Sequence, residues 1–326
     1  MRQAIGVLIL LFFIVFFLTG CIDKKELEDR SYITAIGIDL SEENFVLTLN
    51  KAGEDIIIRQ GATIAEAINE VNRNSNHNVY LGVTGTVILG ETVLKNSQKF
   101  KETLDTLSRN NELSRDVVVL TTKGTAEEFL SNDLKDEKMI GKYSSVVFDN
   151  LSYKTLEDIS KSLNRADMAL IPLACVSKEH VEIEGLAVVK NFQLLDYLEK
   201  LKGYLLITDA SEGISITIPP ITYGIVKSER DIDFEKGVID LRLKGTIESY
   251  NLEGLFDEDK LKEVKLALED EIKREIEEVF NLFEKKYRID AFEFREDMRK
   301  KSMGRRNNLN FTANVDVEII SIGAIK

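Results

Sequence analysis

Cys21 is the residue of this chain with the most readable chemistry. It closes the tetrapeptide Leu18-Thr19-Gly20-Cys21 at the end of an apolar run that begins near Ile5, and Asp23-Lys24-Lys25-Glu26 follows at once. Its thiol can take a thioether-linked diacylglycerol, and cleavage just before it frees an amine for acylation. The basic Arg2, an apolar core of about 14 residues and small residues ahead of the cleavage point make residues 1–20 a signal peptide of the lipoprotein kind. The expectation is a Cys21 bearing S-diacylglycerol and an N-acyl chain, palmitate for instance. Such a chain sits on a membrane without spanning it. The competing reading is an uncleaved transmembrane anchor. The strongly apolar part spans only about 21 Å at ~1.5 Å per residue, short of the ~30 Å hydrocarbon core. Two acyl chains suffice for stable attachment, and one diacylglycerol supplies them.

Other residue types with chemical potential do not assemble into a site. His77 and His180 are far apart in sequence and belong to no metal-ligand spacing, so each reads as a solvated side chain. Cys175 lies in the apolar run Ala169-Leu170-Ile171-Pro172-Leu173-Ala174-Cys175-Val176, which predicts a small buried hydrophobe without the cationic neighbours of a reactive thiol. Gly85-Thr86-Val87-Ile88-Leu89-Gly90 has the glycine spacing of a phosphate loop, but Glu91 stands where the lysine belongs, so the stretch reads as a strand. No G-x-S-x-G elbow occurs. Acidic pairs such as Glu127-Glu128 and Glu277-Glu278 arise by chance among 56 carboxylates. The expectation is therefore no enzyme: no catalytic residue, no cofactor and no metal.

Charge excludes a further class. The 326 residues carry a net charge of −13, and loss of residues 1–20 would remove only the positive Arg2. Phosphate backbones and anionic headgroups repel such a body, which argues against nucleic acid as a partner and leaves attachment to the lipid. With Cys21 acylated, Cys175 has no partner within the chain, so no disulfide framework is expected.

The elements that would carry these residues can be read in order. Tyr32 to Asp39 predicts a central strand, followed through Ser41-Glu42-Glu43-Asn44 by a hairpin partner over Phe45 to Asn50. Thr63-Ile64-Ala65-Glu66 is a capping box opening a helix with Ile64, Ile68 and Val71 on one face. Residues 79–90 are β-rich, Phe100, Leu104 and Leu107 mark a helix, and 116–121 a short buried strand. Thr125 and Thr155 cap two more helices, the second with Leu156, Ile159 and Leu163 facing inward. The second half predicts a strand at 184–190, a short helix near Leu194 to Leu201, and strands near Leu205, Ile214 and Ile221. A long half-exposed strand follows at 238–250. Residues 257–287 form the longest helix, its charges arranged as the i,i+4 pairs Glu258–Lys262, Glu269–Lys273 and Asp270–Arg274. An alternating strand at 311–319 is expected beside the 238–250 strand, under that helix.

These elements predict an α+β, multidomain chain of mixed and antiparallel sheets, each packed with helices, including the long C-terminal helix. The expected division is 1–20 signal, 21–180 N-terminal domain and 181–326 C-terminal domain, with a further split near 230 left open.

The residues beyond Cys21 carry a resemblance. Cys21-Ile22-Asp23-Lys24-Lys25-Glu26-Leu27-Glu28-Asp29 followed by Ala35-Ile36-Gly37-Ile38-Asp39 resembles the start of the Ger(x)C family. These are the C-subunit lipoproteins of spore nutrient germinant receptors. Tyr80-Leu81-Gly82, Ile88-Leu89-Gly90-Glu91, Leu107-Ser108-Arg109, Gly185-Leu186-Ala187-Val188 and Tyr287-Arg288-Ile289-Asp290 match in the same order. Ile22 stands where the family often has Trp, and the chain has no Trp. The resemblance implies a noncatalytic subunit needed for germination in response to nutrients. It would be tethered through Cys21 to the outer face of the spore inner membrane beside integral-membrane A and B subunits. The alternatives are a generic lipid-anchored extracytoplasmic ligand-binding protein and a surface hydrolase, which would need a hinged pair of similar lobes or a convergent acid-base cluster respectively.

Overall fold

The computed structural model describes residues 30–52, 56–74, 78–131, 154–177, 180–199, 201–208, 213–248, 258–292, 294–301 and 311–323. Cys21 with its whole leader and His77 lie outside these residues.

The first sheet grows from β1 (Arg30–Ser41) and β2 (Asn44–Lys51), an antiparallel hairpin whose turn places Glu42 at φ 56°. β3 (Ile56–Gly61), which the sequence reading passed over, pairs on the outer edge of β2. Helix α1 (Ile64–Asn74) starts where expected: the Thr63 hydroxyl accepts the Glu66 N–H at 3.1 Å, and the Glu66 carboxylate accepts the Ala62 N–H at 2.8 Å. The chain then adds β4 (Asn78–Tyr80) and β5 (Thr86–Leu89) parallel to β1. A short α2 (Glu91–Lys95) and α3 (Ser97–Arg109) follow, the latter capped by Asn96 with Phe100, Leu104 and Leu107 buried. β6 (Val118–Thr121) extends the parallel set, α4 (Ala126–Ser131) packs back onto β1 and β2, and α5 (Leu156–Ala166) leads into β7 (Met168–Ser177), on which it packs. The α5 box is complete, Thr155 capping Asp158 and Asp158 capping Thr155.

Beyond β8 (His180–Lys190) the structure corrects the sequence reading. Residues expected as a helix near Leu194 to Leu201 form β9 (Gln193–Leu198), and the strand expected at Leu205 is helix α6 (Leu201–Ile207). Asn191 and Phe192 both take positive φ, 50° and 60°. That two-residue turn returns the chain antiparallel onto β8 and leaves the apolar residues of 194–201 to serve a strand. The described sheet has nine strands in the order β3-β2-β1-β5-β6-β7-β8-β9, with β4 on β1.

Both faces of this sheet are covered, which is why β5 and β6 are buried at every position. One face meets α1, α3 and α5 through Ile33, Leu47, Leu49, Val87 and Val119. The other meets α4 and α6 through Ile88, Val118, Leu120, Leu186 and Val188. That second layer continues without a break into the C-terminal half.

There, β10 (Ser215–Ile218), β11 (Ile221–Asp233), β12 (Val238–Glu248) and β13 (Thr312–Gly323) make a four-stranded sheet in sequential order. β12 and β13 are parallel neighbours, as a long crossover requires. The crossover is α7 (Glu258–Asn281), which ends in a π-helical turn, Leu282–Tyr287, and is followed by α8 (Phe294–Lys300). α7 buries Leu268, Ile272, Ile276 and Phe280. Its charges pair otherwise than expected: Lys262 with Asp259, Lys273 with Glu277, and Arg274 with Glu271 and Glu278. Lys265, 3.5 Å from Glu269 on the same helix, also reaches Asp316 of β13 at 2.8 Å. All but the last of these partners stand three or four positions away on the same helix, and only the Asp316 contact needs the neighbouring strand to be known.

Candidate functional site

His180 opens β8, and its side chain lies outside the described residues, as do His77 and Cys21. Among the described residues no group of three or more His, Cys, Asp and Glu side chains has metal-binding geometry, and no helix is long and apolar enough to cross a membrane. Cys175 is half-buried rather than buried, because it lies near the end of β7. Burial first, then Glu184 and Glu182, push its thiol up, while Lys123 opposes them. The cation missing from its sequence neighbourhood thus arrives from the loop after β6, outweighed by the acids.

Two constellations unnoticed in the sequence organise the molecule instead. In the first, Asp39 ends the buried run of β1 and is only 4% exposed. Its Oδ1 accepts the Ala126 N–H at 2.9 Å and its Oδ2 the Glu127 N–H at 3.0 Å, so one carboxylate satisfies two orphan donors of α4. Desolvation raises its pKa above the usual carboxylate value, against the pull of those two bonds, with Glu127 and Glu128 adding to the rise. Gly90 is fixed by the same contact, since a Cβ there would stand 1.7 Å from Asp39 Oδ1. The Asp39 and Gly90 ends of two family-like motifs, 35–39 and 88–91, are therefore halves of one packing unit that seats α4.

The second constellation joins the two sheets. Asp196 of β9 accepts from Lys286 Nζ at 2.5 Å and from the Tyr287 hydroxyl at 2.7 Å, both in the π-helical turn. Lys286 foremost, with Tyr287 and the Tyr197 N–H, holds Asp196 below the ordinary carboxylate range. Lys190 of β8 donates to the carbonyls of Tyr287 and Arg288 at 3.3 Å each, placing a cation where the helix leaves its last acceptors. Arg230 of β11 donates to the Ile207 carbonyl at the end of α6. Beneath these polar contacts α6 lies directly on α7: a Cβ on Gly203 would stand 2.3 Å from the Glu275 carbonyl. Tyr204 stacks on Phe292 with centroids 5.7 Å apart. Tyr287, singled out within the motif 287–290, thus has a definite duty at this joint. Asp39 could have been suspected as a carboxylate closing an apolar strand, which demands buried donors. Nothing local marks Asp196 or Gly203.

Two family models match the chain in sequence. Residues 23–174 match the "Spore germination protein N-terminal domain" and residues 184–323 the "Spore germination B3/ GerAC like, C-terminal". The chain belongs to the Ger(x)C family. Among relatives in Bacillus subtilis (strain 168), spore germination protein KC is 27% identical over 231 residues, covering 65% of this chain and 51% of that protein. Spore germination protein B3 is 23% identical over 324 residues, covering 86% of this chain and 85% of that one. The match thus spans about half the length of the first of these relatives and most of the second. The crystal structure of the GerBC protein superposes with a TM-score of 0.59 at 17% identity, over 87% of this chain and 96% of that one. It shares the Ger(x)C fold described above.

Proposed function

We propose that this Ger(x)C chain is the noncatalytic, lipid-anchored subunit of a spore germinant receptor, required for germination in response to nutrients. The observation that carries the reading is the run of family matches over both halves of the chain, starting two residues past Cys21. In this reading residues 1–20 are a cleaved signal peptide. Cys21 takes S-diacylglycerol and an N-acyl group, and the body stands on the outer face of the spore inner membrane beside integral-membrane A and B subunits. Tethering confines the chain to a thin layer and raises its effective concentration, so modest contacts with those partners suffice. The protein supplies a rigid two-sheet body rather than a reaction.

The test is genetic and chemical. The gene is deleted in a sporulating host without redundant receptors and complemented with wild type or Cys21→Ala, and nutrient-triggered germination is scored. Germination is expected to fall in the deletion strain and to be restored by wild type. Unchanged germination in the deletion strain rejects the receptor role. Fatty-acid label retained by the Cys21→Ala protein rejects the lipid site.

A further inference from the structure

Helices α1 and α3 lie on the same face of the nine-stranded sheet without closing on one another. Between them is a cavity of about 180 Å³, and Ala65 is one of the small side chains that leave it open. Leu47 and Leu49 of β2 and Ile36 of β1 form its buried base, with Ile64, Ile68 and Leu107 around them. None of its lining residues is ionisable, and its polar groups are three neutral side chains, Asn69, Thr106 and Asn110. Asn110 Oδ1 accepts the Glu112 and Leu113 N–H groups at 2.9 and 3.2 Å, which leaves its amide N–H₂ for another acceptor. Among the described residues the Asn69 and Thr106 side chains have no hydrogen-bond partner.

We propose that this cavity is a binding site for a small amphiphile with a branched aliphatic body and a carboxylate or carbonyl at one end. Three features select that class. A cavity of this order, apolar at its base and open to solvent at its rim, takes a solute of about six to eight non-hydrogen atoms. The amide and hydroxyl donors at the rim suit an acceptor group that remains in contact with water. The lack of any ionisable lining residue leaves nothing to pair a formal charge inside the cavity, so the polar end keeps its hydration at the rim and the Asn110 amide, whose oxygen is already engaged, offers it a donor. A second apolar crevice among the described residues, between the β10–β11 turn and α7, is lined by Glu263 and carries no side-chain amide, so it offers no such match.

The site is independent of the receptor reading, and its test does not use germination. The full chain is held in phospholipid nanodiscs, with empty nanodiscs as the blank, and 4-methylpentanoate is the probe in saturation-transfer NMR. Its methyl signals are expected to exceed the blank, and acetate, which lacks the aliphatic body, to give none. Ile68→Trp, which fills the cavity, abolishes the signal, and Asn69→Ala weakens binding about fivefold. Ala65→Phe is a second filler should the first not fold, circular dichroism reporting the fold of each. No signal above the blank overturns the proposal. So does undiminished signal in a folded filler variant.

Discussion

Two aspartates divide the labour of this fold in opposite ways. Asp39 is buried inside one sheet, bonded to backbone N–H groups, with its pKa pushed up. Asp196 stands at the joint between sheets, half-exposed, bonded to a lysine and a tyrosine, with its pKa held down. The difference teaches where each half is rigid. A buried carboxylate that takes two helix donors leaves them unsatisfied if removed, whereas an exposed ion pair is replaced by water. The N-terminal layer is thus fixed by a polar core element, and the joint by apolar packing of α6 on α7 with a polar rim around it.

Four substitutions test that contrast. The largest effect is expected for Gly90→Ala, whose new Cβ collides with Asp39 Oδ1. It should destabilise the protein by at least about 3 kcal/mol in denaturant unfolding. Asp39→Ala removes the same contact from the other side and leaves two buried N–H groups unpaired, costing about 2–3 kcal/mol. At the joint, Gly203→Ala forces α6 from α7 and costs about 2 kcal/mol, with hydrogen exchange rising first in those two helices. Equal effects of Gly90→Ala and Gly203→Ala would erase the distinction between core and joint. The smallest is Asp196→Asn, below about 1 kcal/mol at neutral pH because the pair is solvent-screened.

Acid titration sharpens the same comparison. Asp196 has a lowered folded pKa, so its stabilisation is complete above the unfolded value near ~3.9 and is lost as pH falls through the folded value. Asp39 has a raised pKa, so its ionisation costs stability as pH rises and acidification returns part of it. Denaturation series between neutral and strongly acidic pH should therefore show Asp196→Asn losing less on acidification than wild type. A steeper loss in the variant would refute the assignment.

Much of the fold was legible along the chain. Capping by Thr63 and Thr155, the β1–β2 hairpin, the α3 face and the alternating β12 and β13 follow from local rules of spacing, and the structure keeps them. The region 193–207 was not legible, since its apolar residues suit helix or strand, and the Asn191-Phe192 turn decided between them. Pro172, a strand breaker by composition, is accommodated because β7 meets β6 at only one paired position, Thr121 with Leu173.

The sequence by itself determined the lipoprotein signature expected at Cys21, the order of motifs and the hydrophobic periods, because each depends on residues within a few positions of one another. Only the tertiary structure decided that Asp39 caps a helix 87 residues away, that Asp196 is held by a turn 90 residues on, and that one apolar layer runs from the first sheet into the second. Those contacts depend on how strands are ordered in a sheet, and strand order is fixed by burial summed over the whole chain rather than by any segment's own preference.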